Sequence, residues 1–396
     1  MAERVQASTR TAWPVTALAI AVLLLVGWRV LRPDAAPVRQ AERSLSSHAD
    51  PRLTDQLARA AIRARPLDGR GYRLLAQSAL VASDLQRAAA LYALAGTRGP
   101  RDLQTQGWLV NHALTAGDYR MALSRLDQML RIQPELSPQL FPVLTSLAGQ
   151  ATAQPVLAQL LGRRPPWRLG FLLALFDHGG DSAGLFPLVQ RLQSAPGALS
   201  DRELSGWLDR LIKDRQWGPA YLAWVDSLPP ARRQHIGNIY NGSFEDEPSL
   251  LGFDWRFERI VGARISRDQA TGAVGARALR IAFEDRRVPF QHVRQLMALG
   301  PGDYDFSGRS RLEQLRTDRG LVWTLTCAED SRVIAETAPL TGQHGWLQFH
   351  NTVTVPAQGC GGQWLTLRLP ARIPAEQRIG GVAWFDDLQM RRLASR

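Results

Sequence analysis

Two residues could form a covalent crosslink in this 396-residue chain, Cys327 and Cys360, and they are its only cysteines. Cys327 closes an apolar run at 321–326, and Cys360 sits in a Gly-rich turn before a second apolar run at 363–368. A lone pair at two strand ends argues one structural disulfide in an oxidising compartment. The alternative is two separate thiols. Neither cysteine has a Cys-x-x-Cys or nearby histidine partner, which argues against zinc. The histidines (His48, His112, His178, His235, His292, His344, His350) are dispersed, and His178 lies in a polar turn, 176–181. A phosphate-cradling glycine loop and His-Glu-x-x-His are missing. A carboxylate pair of the glycosidase type stays open, because its signature is spatial. The expectation is a chain that is not an enzyme.

The elements that position these residues show a repeat. Pro66, Pro100 and Pro134 are spaced by 34 residues. In the same register Leu75-Ala76 matches Leu109-Val110, Ala79 matches Ala113, Asp84 matches Asp118, and Ala88 matches Ala122. Each unit reads as two amphipathic helices, 70–82 with 85–97 and 104–116 with 119–132, separated by a short polar break. Small residues allow close helix approach and large ones such as Tyr92 and Leu126 fill the gaps. These units resemble tetratricopeptide repeats, whose period is 34. The resemblance implies a helical solenoid that presents a concave face to protein partners. By helical phase that face would include Arg70, Arg73, Gln77, Gln106 and His112. Further degenerate pairs follow at 139–149 with 154–162, 167–177 with 183–194, and 200–213 with 217–227.

Lys and Arg number 48 against 36 Asp and Glu, a net charge of +12. The arginines are scattered among acids rather than striped with aromatics, so no nucleic-acid partner is expected. Anionic lipid or acidic polysaccharide suits an anchored basic chain better. Residues 13–28 form an uncharged, mainly apolar run with tryptophan at both ends, extended to 31 if Arg29 reaches the interface. It reads as an uncleaved single span; the alternative is a cleaved signal peptide, against which residues 28–33 lack the small residues of a cleavage site. Arg4 and Arg10 precede it, while Arg29, Arg32, Arg39 and Arg43 follow, a count that would keep the bulk in the cytoplasm. The cysteine pair argues the opposite side and outweighs the charge count.

Beyond about residue 236 the pattern shifts to period 2. Strand candidates are 252–258, 262–267, 278–284, 290–299, 303–314, 321–328, 346–355, 363–370 and 381–391, as in a sandwich of antiparallel sheets. The segments Asn241-Gly242-Ser243-Phe244-Glu245, 299–304, Gly345-Trp346 and 384–388 resemble the carbohydrate-binding-module jelly roll, the galactose-binding-like sandwich. The resemblance covers roughly 237–393 and defines a fold better than a ligand. It implies Glu245 and Asp386 as ligands of a structural calcium, with satisfaction of turn amides as the alternative. Sugar binding would need an exposed aromatic face. Trp323, Trp346 and Trp364 read as core, and Trp255, between Asp254 and Arg256, is the candidate for exposure.

The fold class expected is therefore multidomain, α then β. It comprises a tail (1–12), a transmembrane helix (13–31), a linker (32–50), a tetratricopeptide-type helical solenoid (51–230) and an antiparallel β-sandwich (237–396). The function expected is a scaffold anchored in the inner membrane, with its bulk in the periplasm. It would bind proteins, and polysaccharide where the sandwich keeps a site, in cell-envelope or exopolysaccharide assembly. A pure protein adaptor and an unrecognised glycan-active enzyme are the alternatives.

Overall fold

The computed structural model describes residues 38–40, 42–43, 51–193, 198–233 and 235–394. The expected tail and transmembrane run lie outside them, as does most of the linker. Among the described residues no helix is long and apolar enough to cross a membrane. The chain divides into two compact units, residues 1–143 with 165–167, and residues 144–164 with 168–396.

The first unit is built from α1 (Pro51–Ala64), α2 (Gly69–Val81), α3 (Leu85–Arg98), α4 (Leu103–Thr115) and α5 (Tyr119–Ile132). Each helix packs against the next in sequence. The repeat acts through local backbone chemistry. Asp84 and Asp118 are N-caps whose carboxylates accept the amides of Arg87 and Met121 at 3.0 and 2.9 Å. Just before them Ser83 and Gly117 take the left-handed conformation, with φ of 60° and 73°. That reversal turns one helix back onto the other. Ala76 and Tyr92 are buried together with Leu109 of the following unit, so small and large residues interlock across repeats.

α6 (Ser137–Ala148) carries the chain across the division. The second unit continues with α7 (Gln154–Gly162), α8 (Arg168–His178), α9 (Ser182–Gln193), α10 (Asp201–Lys213), α11 (Trp217–Ser227) and the single turn α12 (Pro230–Arg233). α10 begins with a capping box, in which Ser200 and Glu203 bond each other's amides. Glu203 also pairs with Arg168 of α8, and both side chains are buried.

A sandwich of two antiparallel five-stranded sheets follows. Its strands are β1 (Arg256–Phe257), β2 (Ala263–Gln269), β3 (Arg277–Arg287), β4 (Val293–Met297), β5 (Gly302–Thr317), β6 (Val322–Cys327), β7 (Val333–Glu336), β8 (Gly342–Val355), β9 (Gln363–Arg368) and β10 (Arg378–Arg392). One sheet runs β1-β4-β9-β6-β7 and the other β2-β3-β10-β5-β8. Alternate residues of both sheets, among them Leu279, Ile281, Phe306, Leu365, Leu367 and Phe385, meet in one core. β7 was not among the expected strands; it is a four-residue edge strand whose alternation is too brief to read. Cys327 and Cys360 are joined as a disulfide, with Cα atoms 4.8 Å apart. The link ties the end of β6 to the turn preceding its neighbour β9.

The last helices belong with the sandwich because aromatic residues join them. Tyr221 of α11 meets the edge of Phe253 at 5.2 Å, and Trp224 meets Tyr240 at 5.0 Å. Trp217 lies on the Gly361-Gly362 backbone so closely that a Cβ on either glycine would overlap its ring. Asp209 of α10 lies in the field of Arg256 on β1.

Candidate functional site

The outer face of the β2-β3-β10-β5-β8 sheet carries an ordered set of cationic and aromatic side chains. Pairing places Arg280 of β3 opposite Trp384 of β10, and Trp384 opposite Arg311 of β5. Their chain neighbours Leu279, Ile281, Ala383, Phe385 and Leu312 are buried in the core, so strand alternation sends this row outward. Trp346 of the edge strand β8 extends it. The Arg280 guanidinium carbon is 5.5 Å from the Trp384 ring centre, and that of Arg311 is 4.7 Å from it. Arg311 is also 5.8 Å from the Trp346 ring centre, with Arg309 5.3 Å away. The resulting order is Arg280, Trp384, Arg311, Trp346, Arg309, a ladder of cation–π contacts.

Hydrogen bonds fix the rings. Trp384 Nε1 donates to Glu313 at 3.0 Å, and Trp346 Nε1 donates to the Thr271 carbonyl at 3.0 Å. Glu313 also accepts from Arg311 at 2.6 Å, and Asp268 lies 3.8 Å from Arg280. Arg309 and the exposed Arg264 of β2 form no ion pair among the described residues. Trp384 is only 6% exposed, whereas Trp346 is partly open. A shorter set, Arg256, Trp364 and Arg294, occupies the outer face of the other sheet, with guanidinium–ring distances of 5.0 and 4.8 Å.

Several sequence expectations need correction here. Trp255 is fully buried and donates from Nε1 to the Asn241 carbonyl. Its polar neighbour Asp254 is buried as well, accepting the Ser249 and Trp255 amides and the Ser249 hydroxyl. A charged flanking residue was therefore a poor sign of exposure. Trp346 and Trp364, read as core, lie on outer faces instead, and only Trp323 of the three is core. Phase carried the missed signal: Trp346 alternates in step with Gln348, His350 and Thr352, and Trp364 with Thr366 and Arg368.

Glu245 and Asp386 are brought to one loop, between β2 and β3. Glu245 accepts the amides of Ala276 and Arg277, both at 2.9 Å. Asp386 is buried and accepts those of Val274 at 2.5 Å and Asp387 at 2.8 Å. Burial pushes the Asp386 carboxyl up from its ordinary value, and the two amides oppose that shift. Three of the four carboxylate oxygens are thus turned to amide donors. Among the described residues no cluster of three or more His, Cys, Asp or Glu could hold a metal. This donor set fits turn amides and does not fit a six- to eight-oxygen calcium shell.

In the helical unit, two of the residues assigned to a recognition face are interior. Arg73 is buried and bonded to Asp102 at 2.8 Å, Glu42 at 2.8 Å and Gln104 at 2.5 Å. Gln106 is buried and donates to the Gly96 and Gly99 carbonyls. Helical phase alone did not distinguish outer positions from those facing the next helix. Arg70 is half-buried and held by Asp68. Gln77 is half-buried, and His112 is exposed, stacked on Trp108 at 4.7 Å.

No protein-family model and no curated protein matches the chain. Solved structures similar to part of it include a CBM4 module, at 17% identity and a TM-score of 0.30, covering 39% of this chain and 99% of that one. The CBM22-1 xylan-binding domain of Paenibacillus barcinonensis Xyn10C is 13% identical, with a TM-score of 0.29, over 39% of this chain and 94% of that one. TmCBM61, solved with β-1,4-galactotriose, is 15% identical, with a TM-score of 0.28, over 40% of this chain and 99% of that one. At such identities and scores none of them says what this chain binds.

Proposed function

We propose that the chain is a non-catalytic scaffold that holds saccharide on its C-terminal sandwich and protein on its helical repeats. The observation that carries the reading is the row of arginine and tryptophan side chains on the outer face of the β2-β3-β10-β5-β8 sheet. It combines the partly open Trp346 ring with fixed hydrogen-bonding groups, the pairing of apolar and polar elements that sugar recognition needs. The 34-residue register of caps and left-handed turns supports a tetratricopeptide-type array with a protein-binding role. The disulfide supports residence in an oxidising compartment. With the apolar run at 13–31 as an anchor, the reading becomes an inner-membrane protein with its bulk in the periplasm, acting in cell-envelope or exopolysaccharide assembly.

Affinity electrophoresis of the full chain through gels containing neutral and acidic polysaccharides tests the saccharide role. Retardation that Trp346→Ala abolishes is expected. Mobility unaffected by every polysaccharide would leave a protein adaptor whose sandwich has no sugar ligand.

A further inference from the structure

We propose that the Arg–Trp ladder reads acidic polysaccharide, a chain bearing ionised carboxylates of the uronic-acid class. This rests on the saccharide-binding reading and adds the charge of its ligand. A neutral sugar stacks its C–H face on a bare ring. Here Arg280 and Arg311 lie over Trp384, which is 6% exposed, and Arg309 and Arg311 lie over Trp346. Both tryptophans thus have arginines against them, and of the two Trp346 keeps the more open surface. A guanidinium resting against a ring keeps N–H groups that can meet a carboxylate.

The charge of the face points the same way. Asp268 and Glu313 each offset one arginine, Arg280 and Arg311. Arg264 and Arg309 form no salt bridge among the described residues; Asp386, across from Arg309, lies in its field but turns its oxygens to amides. Arg280 and Arg311 stand on β3 and β5 with β10 between them, about 10 Å apart by the ordinary strand spacing. A small anion reaches one fork, whereas a polymer with charges at intervals engages several at once.

The test is calorimetric titration of the full chain with polygalacturonate and with its fully methyl-esterified form. Binding to the acid polymer alone is expected. It should weaken about tenfold for Arg309→Gln, the loss of one charge-assisted contact, and fall with added salt. Arg309→Lys should recover only part of it, because the charge returns without the fork. Arg264→Gln, at a second unpaired arginine, provides an independent variant should Arg309→Gln unfold. Equal binding of both polymers would overturn the acid assignment and leave the saccharide reading standing. Binding of neither would overturn both. Equal binding of phosphatidylglycerol vesicles or single-stranded DNA would overturn the polysaccharide class in favour of an unselective anionic surface.

Discussion

Arg168 and Glu203 form a fork-to-fork ion pair between α8 and α10, with bonds of 2.8 and 2.9 Å and side chains only 3% and 4% exposed. The remaining Arg168 donors reach the Leu161 and Ala198 carbonyls, and Glu203 also accepts the Ser200 amide. Every part of the pair is thus partnered, which is what makes burial of two charges tolerable. Removing one side strands the other. Arg168→Met is expected to cost about 3–5 kcal/mol. The double variant Arg168→Met with Glu203→Leu should recover much of that loss. Denaturant titration of the three variants measures the coupling; simple additivity would show that the pair does not act as a unit.

The disulfide closes a loop with a sequence separation of 33 residues. Chain-entropy arguments put its contribution at about 3–4 kcal/mol. Replacing both cysteines by serine should lower the unfolding midpoint of the sandwich accordingly. In intact cells the pair should resist thiol labelling until a reductant is supplied. Free thiols that label only after lysis would place the sandwich in the cytoplasm and remove the envelope role.

Glu376 gives a pH signature. The Arg319 guanidinium beside it and the Arg372 amide hold its carboxyl at about 2, below its ordinary 4.5. A carboxyl lowered in the fold contributes stability above its ordinary value and loses it as the pH falls towards the folded one. The contribution should therefore be intact above pH 4.5 and fade between there and about pH 2. Glu376→Gln should remove that part of the acid dependence while leaving neutral-pH folding intact. Unfolding midpoints recorded down this window are the measurement; identical slopes for the two proteins would contradict it.

Amide satisfaction of Glu245 and Asp386 predicts that calcium is not needed for folding. Calcium or a chelator should leave the unfolding midpoint in place, since only a ligand that binds the folded state raises it. Asp386→Ala should instead destabilise the sandwich by about 1–3 kcal/mol, with the Val274 amide left unmet. A midpoint that climbs with calcium would mean that these carboxylates turn from the amides to an ion.

The helices of the first repeats were legible because their cause is local. Asp84 and Asp118 cap, Ser83 and Gly117 reverse the chain, and alanines mark the close approaches, all within one 34-residue register. Alternation on β3, β5, β9 and β10 was equally local, and the two cysteines had only each other to pair with. Tertiary structure decided which outward residues remain open. Sequence neighbours cannot tell that Arg73 and Gln106 turn inward to adjoining repeats, or that Trp255 packs in the core between Phe244 and Trp323. Nor could they show that Arg309 and Arg311, two residues apart on β5, would lie beside tryptophans of two flanking strands. Register brings β8 and β10 to either side of β5, and register is a property of the whole sandwich.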